Sequence, residues 1–206
     1  MSDARNTGRD AWSEVAKPGR HGRQSGPARV GCRLYPDPLL AIVSPRKSHE
    51  TLLSAIVHTH VGVGLPTGPK VAIGQNGQRI AGIGPNRWLA VATGTSPAAR
   101  TLITDLDVHA HVVDQSHGLA LLALDGPDAR DTLAKGTGMD LHPRTFSPGD
   151  AATTAIAHMT VHIWQTSPAP VFELAVPAGT LGSFWHWLET AAGASGLEAT
   201  AGETSA

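Results

Sequence analysis

The sequence predicts an α+β protein built from two ferredoxin-like-type halves with antiparallel sheets, meeting near Ser116. Three observations predict it. Short apolar or alternating runs suited to strands are interleaved with segments of helical spacing. The order strand, helix, strands, helix, strand is followed by strand, helix, strands, helix, which suits split βαβ units better than a doubly wound parallel sheet. Asn76-Gly77, set between two apolar runs, is a hairpin signal that makes the first sheet antiparallel.

Each element follows in order. Residues 39–43 (LLAIV) form a short buried strand. Ser44 and Pro45 then start a helix, proline being tolerated in a first turn, and Leu52, Leu53, Ile56 and Val57 supply its apolar face. Residues 61–69 are a Gly/Pro loop. Residues 70–73 and 79–83 flank Asn76-Gly77, Gly84-Pro85-Asn86 is a second turn, and 88–92 is a third strand. Ser96-Pro97 opens a helix running to about Leu106, and 108–114 and 119–124 read as strands. Gly126-Pro127-Asp128 begins another helix with Ala129, Leu133 and Thr132 inward, and Gly136 and Gly138 end it. Strands follow at 152–156, 160–164 and 171–176. Residues 178–192 form the last helix, with Leu181, Phe184, Trp185 and Leu188 at helical spacing.

The composition supports a folded core: of 206 residues, 41% are hydrophobic and 16% charged, with a formal net charge of −1. That balance excludes charge-driven disorder, a strongly basic nucleic-acid binder and a polybasic membrane patch. No apolar run approaches the roughly 18 residues of a membrane span. The N-terminal stretch lacks the apolar segment of a secretory signal, and Asp3, Asp10 and Glu14 are wrong for a transit peptide. Cys32 is the single cysteine, which excludes an internal disulfide framework and a cysteine-based zinc site and fits a reducing compartment, so a cytoplasmic location is expected. Residues 1–33 carry seven Lys and Arg against three Asp and Glu. The expected organisation is a disordered or partner-draped basic arm at 1–33, a body at 34–192 with halves at about 37–115 and 116–192, and a flexible tail at 193–206.

Residue chemistry alone offers no catalytic constellation. Asp107, His109, His111, Asp114 and His117 are the densest group of ligating side chains among eleven histidines. Two apart on a strand, His109 and His111 share a face and suit zinc, copper, nickel or iron, but spacing sets no third ligand and a solvated polar face is the alternative. His58 and His60 sit at a helix C-terminal end, a favourable place for cationic side chains. Gly62-Val63-Gly64 with Gly68 lacks the spacing of a dinucleotide fingerprint. Adjacent residues on a strand point to opposite faces, which tells against Ser116 and His117 as nucleophile and base, and no Gly-x-Ser-x-Gly elbow is present. Trp185 and Trp187 lie about 200° apart on one helix, so one packs inside while Trp187 faces out as an interface anchor.

Several phrases occur together and in order. They are Ile83-Gly84-Pro85-Asn86-Arg87-Trp88-Leu89-Ala90-Val91, Asp114-Gln115-Ser116-His117-Gly118, and Leu124-Asp125-Gly126-Pro127-Asp128-Ala129-Arg130-Asp131-Thr132-Leu133. Lys135-Gly136, Asp140-Leu141-His142-Pro143-Arg144-Thr145-Phe146-Ser147-Pro148-Gly149 and Phe184-Trp185-His186-Trp187-Leu188 complete the set. Over residues 37–192 it resembles the gamma subunit of heterotetrameric sarcosine oxidase. The Gly-Pro-x-Ala-Arg-x-x-Leu phrase alone recurs across the aminomethyltransferase-like folate-binding group; the other phrases add specificity. The resemblance implies the fold of the aminomethyltransferase folate-binding domain and partners of the alpha, beta and delta type. It implies a complex that oxidatively demethylates sarcosine to glycine, with tetrahydrofolate as one-carbon acceptor and oxygen as electron acceptor. FAD, FMN and NAD are implied in alpha and beta and zinc in delta, with no cofactor in this chain and a non-catalytic, structural role for it. The basic N-terminal stretch departs from the family pattern.

The same phrases nominate partner contacts. Arg130, one helical turn beyond Pro127, pairs with a carboxylate or braces a loop. His142, held out of the helical region by Pro143, lies with Arg144 in a loop that either docks on a partner's acidic groups or is simply rigid. With Trp187 these are the candidate interface residues. Two alternatives stay open: a stand-alone folate-binding protein, in which Asp114 or Asp140 holds the pterin ring, and the equivalent subunit of an N-methylglutamate dehydrogenase or other N-methyl amine oxidase.

Overall fold

A computed structural model describes residues 12, 15–47, 49–74, 77–93 and 97–202. Its strands are β1 (Gly19–His21), β2 (Val30–Tyr35), β3 (Leu39–Pro45), β4 (Val71–Ile73), β5 (Arg79–Gly84), β6 (Arg87–Ala92) and β7 (Ala110–Asp114). The second group is β8 (Leu119–Asp125), β9 (Ala151–Ile156), β10 (Met159–Ser167), β11 (Val171–Pro177) and β12 (Leu197–Ala201). The helices are α1 (Glu50–Val61), α2 (Pro97–Asp107), α3 (Ala129–Ala134) and α4 (Leu181–Ala192), the last entered through a 3₁₀ turn at Ala178–Thr180.

Two sheets result. One has the order β4-β5-β6-β3-β7 and is antiparallel throughout. The other runs β1-β12-β2-β8-β11-β10-β9 and is antiparallel except where β12 lies parallel to β2. Strand alternation turns these sheets into four layers. In β8, Leu119 and Leu121 point to the seam between the sheets while Ala120, Leu122 and Leu124 point to the outer helices. Likewise Leu89 and Val91 of β6 face the seam, and Trp88 and Ala90 face α1 and α2. The order is therefore helices, sheet, sheet, helices. Burial on both faces explains why 119–124 reads as an unbroken apolar run.

The α+β class with two sheet-forming halves is as expected, and four details differ. Ser44 and Pro45 do not start a helix: they close β3, paired with His111 and Ala110 of β7. Pro45 is tolerated because pairing with β6 ends at Val43, so its missing N–H is not called on by that neighbour. Helix α1 begins five residues later, at Glu50. Val108 and His109 lie in the turn before β7 rather than on the strand. The tails are shorter than expected. β1 and β2 fall largely within 1–33, and β12 within 193–206, because Val30, Cys32, Leu34, Leu197 and Ala199 bury one face of a shared parallel ladder. Trp12 is buried against Trp185 at 6.3 Å between ring centroids and donates its indole N–H to the Leu121 carbonyl at 3.1 Å. Residues 1–11 and 203–206 lie outside the described residues, as do Asn76 of the expected hairpin turn and Ser96 of the expected helix start.

Candidate functional site

Between α3 and β9 the chain runs without regular structure, and residues 140–150 form its best-braced loop. Leu141 and Phe146 are buried anchors, whereas His142, Pro143, Arg144 and Thr145 are exposed. Asp140 accepts the His142 N–H and the Thr145 hydroxyl, both at 2.8 Å. The backbone bond from His142 is the chief reason its carboxyl sits below the usual aspartate range. The Arg144 N–H donates to His142 Nδ1 at 3.2 Å. At the far end, Ser147 donates its N–H and hydroxyl to Asp150 at 2.8 and 2.9 Å, and Lys70 pairs with the same carboxylate.

Arg130 supports this loop from inside. Its guanidinium donates to the carbonyls of Leu141 and Phe146, the latter at 3.1 Å, and to Gln165 Oε1 at 3.0 Å. It also lies 4.9 Å above the Phe172 ring. Burial lowers its pKa, and the acceptors around it hold the charge in place. Of the two roles foreseen for Arg130, it braces the loop.

A second polar group sits in the seam. Glu173 on β11 is 2% exposed, accepts an ion pair from Arg79 of β5, and accepts the Trp164 indole N–H at 2.6 Å. Tyr35 reaches the same carboxylate at 3.5 Å. The pair thus ties one sheet to the other. Nothing nominated Glu173 in the sequence, although it is the one charge in the apolar run VFELAV. A charge at a seam-facing position of such a strand requires a partner, and that is the signal that was available.

A cleft of about 730 Å³ opens where the β5–β6 turn, the 65–69 loop and the first turns of α1 meet Thr153. Trp88 lines it and donates its indole N–H to the Pro66 carbonyl at 2.9 Å. Gly82 stands where the Gly68 carbonyl leaves no room for a Cβ, which fixes glycine there. Beside the cleft, Thr153 donates to the Ile83 carbonyl at 2.9 Å and so accepts from His162 Nδ1 at 2.8 Å. Burial and the neighbouring Arg87 lower the His162 pKa.

The remaining predicted residues are dispersed. His109 faces His49, with ring centroids 5.5 Å apart, while His111 is exposed on β7, so the two do not share a strand face. Among the described residues, no three His, Cys, Asp or Glu side chains are grouped to hold a metal. His60 pairs with Asp105 at 2.8 Å and joins α1 to α2. Asp114 accepts the Ser116 N–H at 2.8 Å, the main cause of its lowered pKa, and the Ser116 hydroxyl accepts the Leu40 N–H at 3.1 Å. Asp114 and Asp140 therefore serve as turn acceptors far apart in the chain. Cys32 is buried, and its burial pushes the thiol pKa far up. Trp185 packs inside against Trp12 and His21, whereas Trp187 is half-buried on Gly136 and 5.4 Å from Phe184.

A model of the sarcosine oxidase, gamma subunit family matches residues 47–194, well over half of the chain. The chain belongs to that family. Curated relatives agree. The gamma subunit of sarcosine oxidase from Corynebacterium sp. (strain P-1) is 35% identical over 130 residues, or 62% of this chain and 64% of the relative. The Arthrobacter sp. gamma subunit is 34% identical over 120 residues, 57% of each chain. The match thus spans about three fifths of these relatives' length. Among solved structures, the heterotetrameric sarcosine oxidase from Corynebacterium sp. U-96, in complex with pyrrole 2-carboxylate, contains a chain superposing with a TM-score of 0.70 at 29% identity. That superposition covers 81% of this chain and 86% of the other. Aminomethyltransferase T of the glycine cleavage system from Bartonella henselae aligns with a TM-score of 0.58 at 17% identity over 84% of this chain and 48% of its own, which shows a shared fold. Within the gamma family, the 140–150 loop, Arg130 and the α4 tryptophans all fall inside the matched region.

Proposed function

We propose that the chain is the gamma subunit of a heterotetrameric sarcosine oxidase and has a structural, non-catalytic role in it. The observation that carries this reading is the superposition on one chain of a heterotetrameric enzyme over most of both lengths, joined to the family match. In this reading its partners are alpha, beta and delta subunits in the cytoplasm. FAD, FMN and NAD belong to alpha and beta, and zinc to delta. The complex oxidises sarcosine to glycine, and tetrahydrofolate takes up the one-carbon unit.

The non-catalytic role is supported by what the reactive groups of this chain already do. Arg130 is committed to backbone carbonyls, Glu173 to Arg79 and Trp164, and the Ser116 hydroxyl to Leu40. Cys32 is held as a thiol in the core, not as a nucleophilic thiolate.

Co-expression with the other three subunits tests the proposal. The expected outcome is co-elution of all four and sarcosine-dependent oxygen uptake by the complex, with none by this chain alone. Saturable binding of tetrahydrofolate to the isolated chain in a calorimetric titration would instead support the stand-alone folate reading. Turnover of N-methylglutamate in preference to sarcosine by the complex would assign the chain to the related dehydrogenase.

A further inference from the structure

We propose that the exposed tip of the 140–150 loop, His142 with Arg144, is a docking point for carboxylate side chains on a partner subunit; this rests on the assembly role just proposed. The argument begins with the loop's order. It is irregular and on the surface, yet each end is fixed: Leu141 and Phe146 are buried, and Arg130 holds the carbonyls of both. A loop fixed from within loses little further entropy when a partner meets it. Here only two side chains at the tip remain to be ordered.

The chemistry of the tip then selects the partner. The acids of the loop are engaged internally. Asp140 receives the His142 N–H and the Thr145 hydroxyl, and Asp150 receives Ser147 and Lys70. The Thr145 hydroxyl is spent on Asp140, and His142 Nδ1 accepts the Arg144 N–H. A neutral imidazole that accepts at Nδ1 carries its hydrogen on Nε2. The exposed side chains at the tip therefore offer donors: the His142 Nε2–H and the Arg144 guanidinium. Pro143 between them adds no N–H and fixes their separation in the backbone. A rigid surface offering a forked cation and one further N–H fits acceptors, and a pair of carboxylates takes both, with the fork bound bidentately.

The test uses the four-subunit complex. Variants Arg144→Glu and His142→Ala are titrated, by surface-immobilised binding at low and high salt, against the assembly of the other three subunits. Lys47→Glu, an exposed charge reversal on another surface, is the control. Arg144→Glu is expected to weaken association at least about 30-fold and to reduce its salt dependence, His142→Ala to weaken it less, and Lys47→Glu to stay within about twofold. The unfolding midpoint of the free Arg144→Glu chain should match wild type, since Arg144 is exposed. Equal affinity of Arg144→Glu and wild type, or an equal loss in Lys47→Glu, overturns the docking assignment alone. A wild-type chain that does not join the other subunits overturns the assembly reading and this proposal with it.

Discussion

The two sheets share one seam but are closed behind by walls of unequal weight. Behind the five-stranded sheet stand α1 and α2, contributing Leu53, Val57, Leu102 and Leu106 to a mainly aliphatic cluster with Trp88. Behind the seven-stranded sheet lie all three phenylalanines of the chain, together with Trp12 and Trp185. That second wall also takes in strands from near both ends of the sequence, β2 and β12. The difference teaches where the fold is founded: apart from Trp164 in the seam, the largest fully buried rings stand in the second wall, and the braced loop rests on it.

Truncation in each wall is the strongest way to break this comparison. Phe184→Ala is expected to cost about 4 kcal/mol and Leu53→Ala about 3 kcal/mol, as measured by urea unfolding. A larger loss from Leu53→Ala would reverse the ranking. The seam comes next. Glu173→Leu leaves Arg79 without its buried counter-ion and should cost about 3 kcal/mol, whereas the double variant Arg79→Met, Glu173→Leu should recover the part due to the unpaired charge but not the lost acceptor of the Trp164 indole N–H. A double-mutant cycle reads the coupling, and strict additivity would show that the ion pair does not join the sheets.

The third prediction concerns acid. Asp128, at the start of α3, accepts two bonds from Arg29 at 2.8 and 2.6 Å and the Ser195 hydroxyl at 2.7 Å. The Arg29 contact, followed by Ser195, lowers its pKa to about 2 from an ordinary 3.8. A carboxyl depressed on folding stabilises the native state above its unfolded pKa and loses that contribution as pH falls through the folded one. The clamp between β2, α3 and the approach to β12 should therefore weaken between about pH 4 and pH 2. Unfolding midpoints of wild type should fall in that window more steeply than those of Asp128→Asn.

The smallest expected change is a gain. The β9–β10 hairpin turns through Ala157 and His158, both left-handed with φ of 50° and 66°. Asn-Gly is the preferred pair for such a turn, so Ala157→Asn with His158→Gly should add about 1 kcal/mol, seen as a higher melting temperature.

Much of this layout was legible in the sequence where the signal is local. The 119–124 run, the antiparallel pairing of β4 with β5 and the α4 spacing each depend on neighbours in the chain. What was missed depends on distant ones. β2 reads poorly because Val30, Cys32 and Leu34 alternate over too few residues to stand out from the Gly- and Arg-rich stretch before them, and pairing with β12 and β8 makes them a strand. β12 has just Leu197 and Ala199 to bury. The site divides the same way. His142 and Arg144 could be placed in a loop by Pro143, whereas the carbonyls that Arg130 grips are eleven and sixteen residues away and no spacing rule names them.

The side-by-side alignment of β2 and β12 has a consequence for biosynthesis. Among the described strands β12 is the last that ribosomes deliver, so the larger layer stays incomplete until residues 197–201 have emerged. During that interval β2 presents an unpaired edge, the kind of surface on which nascent chains associate wrongly. The smaller layer, whose strands all lie between Leu39 and Asp114, is under no such delay and can form first.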